Sequence, residues 1–97
     1  MPLSRQENPV YQGELIDIGL DGIYVNNTRV TSSQYWQKND EVLITDLYEI
    51  LQTISGSRAQ IRAHAKAPWV VVDKALFTAQ QAGYKEIEMI ALSNVSL

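Results

Sequence analysis

The sequence predicts a small α+β domain: two helices packed on one face of a mixed sheet of four to five strands, in the order β-β-(β)-α-β-α-β. Three observations carry that prediction. Two β-rich runs flank an Asp-Gly dipeptide between residues 14 and 25. Two later stretches carry apolar residues at helical spacing, each closing near a glycine. Each of those stretches is followed by a run of period-2 alternation. At 97 residues, the chain is one domain that buries roughly 60–65% of its unfolded surface. Its 45% hydrophobic and 20% charged residues are near the globular average and argue against wholesale disorder.

Residues 1–13 (MPLSRQENPVYQG) are polar, contain two prolines and end in glycine. They read as a tail or linker, with Val10 and Tyr11 able to add an edge strand to a partner, and residues 14–97 form the domain. Leu15, Ile16 and Ile18 precede the turn at Asp21-Gly22, and Ile23-Tyr24-Val25 follow it. Asn26-Asn27 offers a second tight turn into Thr28–Thr31, because asparagine tolerates positive φ. Ser32–Asn39 reads as a connecting loop. A helix is expected from about Asp40 to Ser55, with Asn39 or Asp40 at its start. Leu43, Leu47, Ile50, Leu51 and Ile54 form its apolar stripe, and Gly56 is placed as its left-handed C-terminal residue.

The next run alternates strictly: Arg58, Gln60, Arg62 and His64 are polar, and Ala59, Ile61, Ala63 and Ala65 are apolar. It reads as a strand with one wet face. Beyond Pro68, the stripe Val71, Val72, Ala75, Leu76, Ala79 and Ala82 predicts a second helix that stops at Gly83. Ile87, Met89 and Ala91 alternate with Glu86, Glu88 and Ile90 as a closing strand. A strand, helix, strand order without a hairpin turn implies parallel pairing with a right-handed crossover.

Several function classes fall away on composition. Eight Lys plus Arg stand against 11 Asp plus Glu, a net charge of −3, without a basic run; nucleic acid is a poor partner for such a chain. The absence of cysteine excludes disulfides and thiolate chemistry, and a single histidine argues against the usual zinc sites. No apolar run approaches the length a membrane helix needs. The glycines form neither a dinucleotide fingerprint nor a P-loop. No cofactor and no metal are expected, and catalysis finds no support.

What remains are candidate contact residues. His64 on the polar face of a strand reads first as a surface residue; a general base would need an orienting carboxylate and a nucleophile beside it. Glu86 and Glu88 share a strand face, where Arg58, Arg62 and Lys85 are positioned to pair with them. Tyr35-Trp36 in a polar loop is the expected exposed aromatic pair, suited to stacking or anchoring. Trp69 and Tyr48 are expected to close the ends of the core.

The run from Gln60 to Leu92 resembles the C-terminal half of the periplasmic domain of the ExbD/TolR family of biopolymer-transport proteins. The resemblance rests on Ile61-Arg62-Ala63, Trp69, Val71-Val72-Asp73, Ala82-Gly83 and Ile87–Leu92, preceded by Glu14–Ile18 and Asp21–Asn26. It covers about Glu14 to Leu92, and its specificity lies in the ordered combination of motifs. His64 departs from the family pattern, which has an acid after Ile-Arg-Ala. The resemblance implies the periplasmic part of an inner-membrane complex that couples the proton gradient to a transducer reaching the outer membrane. Its partners would be a second copy of the chain, joined through an exposed sheet edge or strand addition by residues 8–13, together with ExbB/TolQ-type and TonB/TolA-type proteins and peptidoglycan. Proton handling would reside in a membrane helix upstream, with residues 1–13 as its tether and Met1 an introduced start; the other reading of Met1 is the native start of a detached relative. Partner contacts are expected at Val10, Tyr11, Tyr35, Trp36 and His64. The alternative is a self-contained saccharide- or peptide-binding module with Tyr35, Trp36 and His64 in its site.

Overall fold

Alternating apolar residues give the first two strands one face each for burial, and a third strand, with Val30 as its one apolar residue, turns Thr31 to the core. In the computed structural model, which describes residues 13–91, these are β1 (Glu14–Ile18), β2 (Gly22–Val25) and β3 (Thr28–Ser32). Ile16, Ile18, Ile23 and Val25 point to the core, whereas Leu15, Asp17 and Tyr24 lie on the other face and are only half-buried. The β2–β3 turn forms at Asn26 and Asn27, both with positive φ (50° and 73°). Asn26 also holds the turn to β1: its Oδ1 accepts from the Leu15 N–H at 2.9 Å, and its Nδ2 donates to Glu14 Oε1 at 3.0 Å. The expected tail, with Val10 and Tyr11, lies outside the described residues apart from Gly13.

The remaining elements are α1 (Ser33–Lys38), α2 (Thr45–Ile54), β4 (Arg58–Ala63), α3 (Trp69–Gln81) and β5 (Glu86–Ala91). Five strands form one sheet in the order β3-β2-β1-β4-β5. The β1–β2 and β2–β3 pairs are antiparallel, and β4 runs parallel to both β1 and β5. This is the predicted α+β architecture with its mixed sheet. Ile16, Ile18, Ile23, Ala59 and Ile61 form a continuous floor under the helices, joined by Leu47 and Leu51 from α2 and by Val71, Val72, Ala75 and Ala79 from α3. The alanines of α3 let its backbone come close to β4, which is why so thin a stripe still closes the core. No helix among the described residues is long and apolar enough to cross a membrane.

Three local expectations need correction. The segment read as a loop, Ser32–Asn39, contains α1, whose N-cap Ser32 accepts from the Tyr35 N–H at 3.2 Å. The following helix begins at Thr45 and not near Asp40. Thr78 Oγ1 on α3 accepts from the Ile44 N–H at 2.9 Å and holds Ile44 extended (φ −83°, ψ 98°), while Asn39 Oδ1 spends itself on the Glu41 N–H in a turn. The left-handed residue that ends α2 is Ser55 (φ 60°), one position before Gly56. Gly56 answers to a different demand: a Cβ there would sit 2.9 Å from the Tyr84 hydroxyl and 2.8 Å from Glu14 Oε2. Gly83, with φ 99°, ends the last helix as expected.

Candidate functional site

The expected contact residues do not assemble into one place. Tyr35 and Trp36 meet edge to face, with ring centroids 4.9 Å apart at 87°, but they face different surroundings. Tyr35 is 57% exposed, whereas Trp36 is buried at 3% and donates its indole N–H to Thr31 Oγ1 at 3.1 Å. The expectation of an exposed pair therefore fails for Trp36, because α1 turns that side chain inward beneath the sheet edge. The opposite error occurs at Trp69, expected in the core and found 63% exposed on the first turn of α3. His64 is exposed in the turn after β4, where its Nδ1 accepts from the Lys66 N–H at 3.2 Å and its backbone N–H donates to the Ile18 carbonyl. It shapes the turn.

The sheet face turned away from the helices carries a charged ladder. Arg62 donates to both carboxylate oxygens of Asp17 at 2.6 and 2.8 Å, across the parallel β1–β4 pair. Hydrogen bonding to Asp17, opposed by desolvation and reinforced by the carboxylate charge, raises the guanidinium pKa above its usual value. Next to it, Arg58 pairs with Glu86 at 2.7 Å and Gln60 donates to Glu88 at 3.0 Å. Of the expected partners of the two glutamates, Arg58 is used, while Arg62 is taken by Asp17. No group of three or more metal-ligating side chains converges among the described residues.

Two other features have a position that only the fold reveals. The first is the pair of sheet edges. β5 closes one side of the sheet with six residues in unbroken register against β4, and no described strand pairs with its outer side. Met89, on the face that continues the core, is 42% exposed there. β3 closes the other side with five residues and an irregularity: Thr31 pairs with Ile23 and Arg29 with Tyr24, so Val30 is an extra residue.

The second feature is an open groove of about 650 Å³ between β3 and α2. Val25, Val30, Ile50 and Ile54 provide its apolar lining, and Asp46 and Glu49 stand on its α2 wall. α2 contributes residues 46, 49, 50, 53 and 54, the spacing of one helix face.

Two side chains of α3, Lys74 and Thr78, hold the helices beside this groove in place. Lys74 is buried, and its Nζ donates to the Trp36 carbonyl at 2.7 Å and to the Asn39 carbonyl at 2.5 Å, closing the C-terminal end of α1. One turn on, Thr78 bridges to Ile44 at the start of α2. One helix thus positions both others.

No family model, curated protein or solved structure matches this chain.

Proposed function

We propose that this chain is the periplasmic domain of a proton-motive-force-coupled, energy-transducing complex of the ExbB-ExbD-TonB or TolQ-TolR-TolA type. In this reading it works by dimerising and by touching the transducer protein or the cell wall, with no chemistry of its own. Support comes from the ordered motifs. Ile61-Arg62-Ala63 falls in β4, Val71-Val72-Asp73 in α3, Ala82-Gly83 at that helix's end and Ile87–Ala91 in β5.

The observation that carries the dimer is that no described strand pairs with the outer edge of β5. An unpaired, regular edge is a template for another strand. A two-fold axis through Met89 pairs Met89 with its counterpart, Glu88 with Ile90 and Ile87 with Ala91 of the second copy. That register avoids facing carboxylates, which pairing centred on Glu88 would create. It also covers the exposed part of Met89 and joins two five-stranded sheets into one of ten.

Sedimentation velocity at high micromolar concentration tests the dimer. A concentration-dependent dimer is expected, and Met89→Arg, which sets two cations face to face, is expected to leave a folded monomer. Monomer at every concentration for the unaltered chain, or an unchanged dimer in the variant, overturns the β5 arrangement.

A further inference from the structure

We propose that the groove between α2 and β3 is a docking site for a short extended peptide that carries a lysine or arginine beside an apolar residue. This goes beyond the β5 dimer and does not depend on it, because the groove lies at the opposite end of the sheet.

The apolar requirement comes from the floor. Val25 is buried at its base, but Val30, Ile50 and Ile54 are only half-buried. They pack on the core from one side and meet the groove from the other. Apolar surface left wet inside a concave site gains most from an apolar side chain laid upon it.

The extended shape comes from β3. No described strand pairs with its outer side, so the main-chain groups there are available to a chain lying alongside. The bulge at Val30 bends that edge, and a bent edge rejects a long flat strand. The α2 wall from Asp46 to Glu49 to Ile54 spans about 12 Å, room for about four extended residues.

The charge comes from the α2 wall. No described cation engages the Asp46 or Glu49 carboxylate. Arg29 borders the groove, but its Nη2 donates to the Asp21 carbonyl at 3.2 Å and its Nε lies over Gly22, on the other face of the sheet. The two acids therefore face the groove without an opposing charge from that arginine, an arrangement that favours a cationic guest and disfavours phosphate or a carboxylate. A saccharide is less well served, since no aromatic ring lines the groove to stack on a sugar.

The test is a titration of the whole chain with two capped pentapeptides, Val-Lys-Val-Lys-Val and Val-Glu-Val-Glu-Val, followed by amide chemical shifts. The lysine peptide is expected to perturb residues 28–32 and 45–54 and to bind at least about tenfold more tightly than the glutamate peptide. In the double variant Asp46→Asn, Glu49→Gln, both exposed positions, the preference should fall to near parity and lose its salt dependence. Equal binding of the two peptides overturns the proposal, as does no binding of either. So do shifts confined to β5 or to Tyr35, or the same amides moving more strongly with a chitin trimer. If those amides move on simple dilution of the free chain, a second copy is the occupant and the proposal fails. Met89→Arg is expected to retain the peptide preference, so loss of the dimer and loss of the groove are separable results.

Discussion

The two edges of one sheet differ in how regularly they are built. β5 is six residues long and held in unbroken parallel register by β4. β3 is five residues long, bulged at Val30 and flanked by an apolar groove. A regular edge suits a strand of its own length, such as the symmetric copy proposed above would supply. A bulged edge beside a groove accepts a short segment whose side chains reach down between strand and helix. The lesson is that an open edge is not one kind of site. Its regularity and the element beside it decide what can lie there.

The comparison assumes that both edges belong to one cooperative unit, and the largest expected effect tests that assumption. Ile61 is fully buried in β4, paired to β1 on one side and to β5 on the other. Ile61→Ala should cost about 3 kcal/mol through lost transfer energy and the cavity left behind. Urea unfolding followed by far-ultraviolet dichroism and by tryptophan fluorescence should shift together. Two separated transitions would show that the β3 and β5 sides unfold independently, and the edges would then have to be treated as two structures.

A smaller effect should fall on one side only. Lys74→Met keeps the packed stem but withdraws the ammonium from the Trp36 and Asn39 carbonyls. The expected loss is about 2 kcal/mol, since those carbonyls were satisfied by a charged donor in a buried place. Hydrogen exchange should accelerate first in α1, beginning with the Asn39 N–H that bonds the Tyr35 carbonyl. The β5 amides should keep their protection relative to the global stability. Uniform acceleration would instead make Lys74 a general stabiliser with no special hold on the β3 side.

The difference between the edges also marks where sequence reasoning reached its end. The period-2 run of β4, the Asn26-Asn27 turn and the stripe of α3 with its Gly83 stop were all legible, because each is encoded by neighbours a few residues apart. The start of α2 was not, because it is set by Thr78, 34 residues downstream of Ile44. Gly56 was misread as a helix stop for the same reason, since its constraint comes from the Tyr84 ring, 28 residues away. Polar surroundings made Trp36 look exposed, yet Ser32 at an N-cap was the local sign that a helical turn would bring it inward. The groove had no local signature at all: its floor joins residues of a bulged hairpin and a helix face that only the fold brings together. The functional reading accordingly rests on ordered motifs, while both candidate surfaces rest on tertiary arrangement.

The smallest expected effect concerns the root of β5. Tyr84 sits just before that strand, buried at 3% exposure, and its hydroxyl accepts from the Gly56 N–H at 3.2 Å. Burial raises the phenol pKa above its ordinary value of 10.0; the Gly56 N–H opposes the shift and the Glu14 charge adds to it. A raised pKa means that the folded state keeps its proton after the unfolded chain has begun to lose it. The contribution to stability is therefore whole below pH 10 and declines as pH rises past 10.0 towards the folded-state value. Tyr84→Phe should be somewhat less stable at neutral pH, having lost the acceptor for Gly56, but should show a flatter decline of the urea midpoint above pH 10. If β5 is rooted in this way, alkaline loosening should appear in its amides before those of β3, where Asn26 and Glu14 make the corresponding anchor. Equal alkaline slopes for the two proteins would place the β5 anchor elsewhere and remove this distinction between the edges.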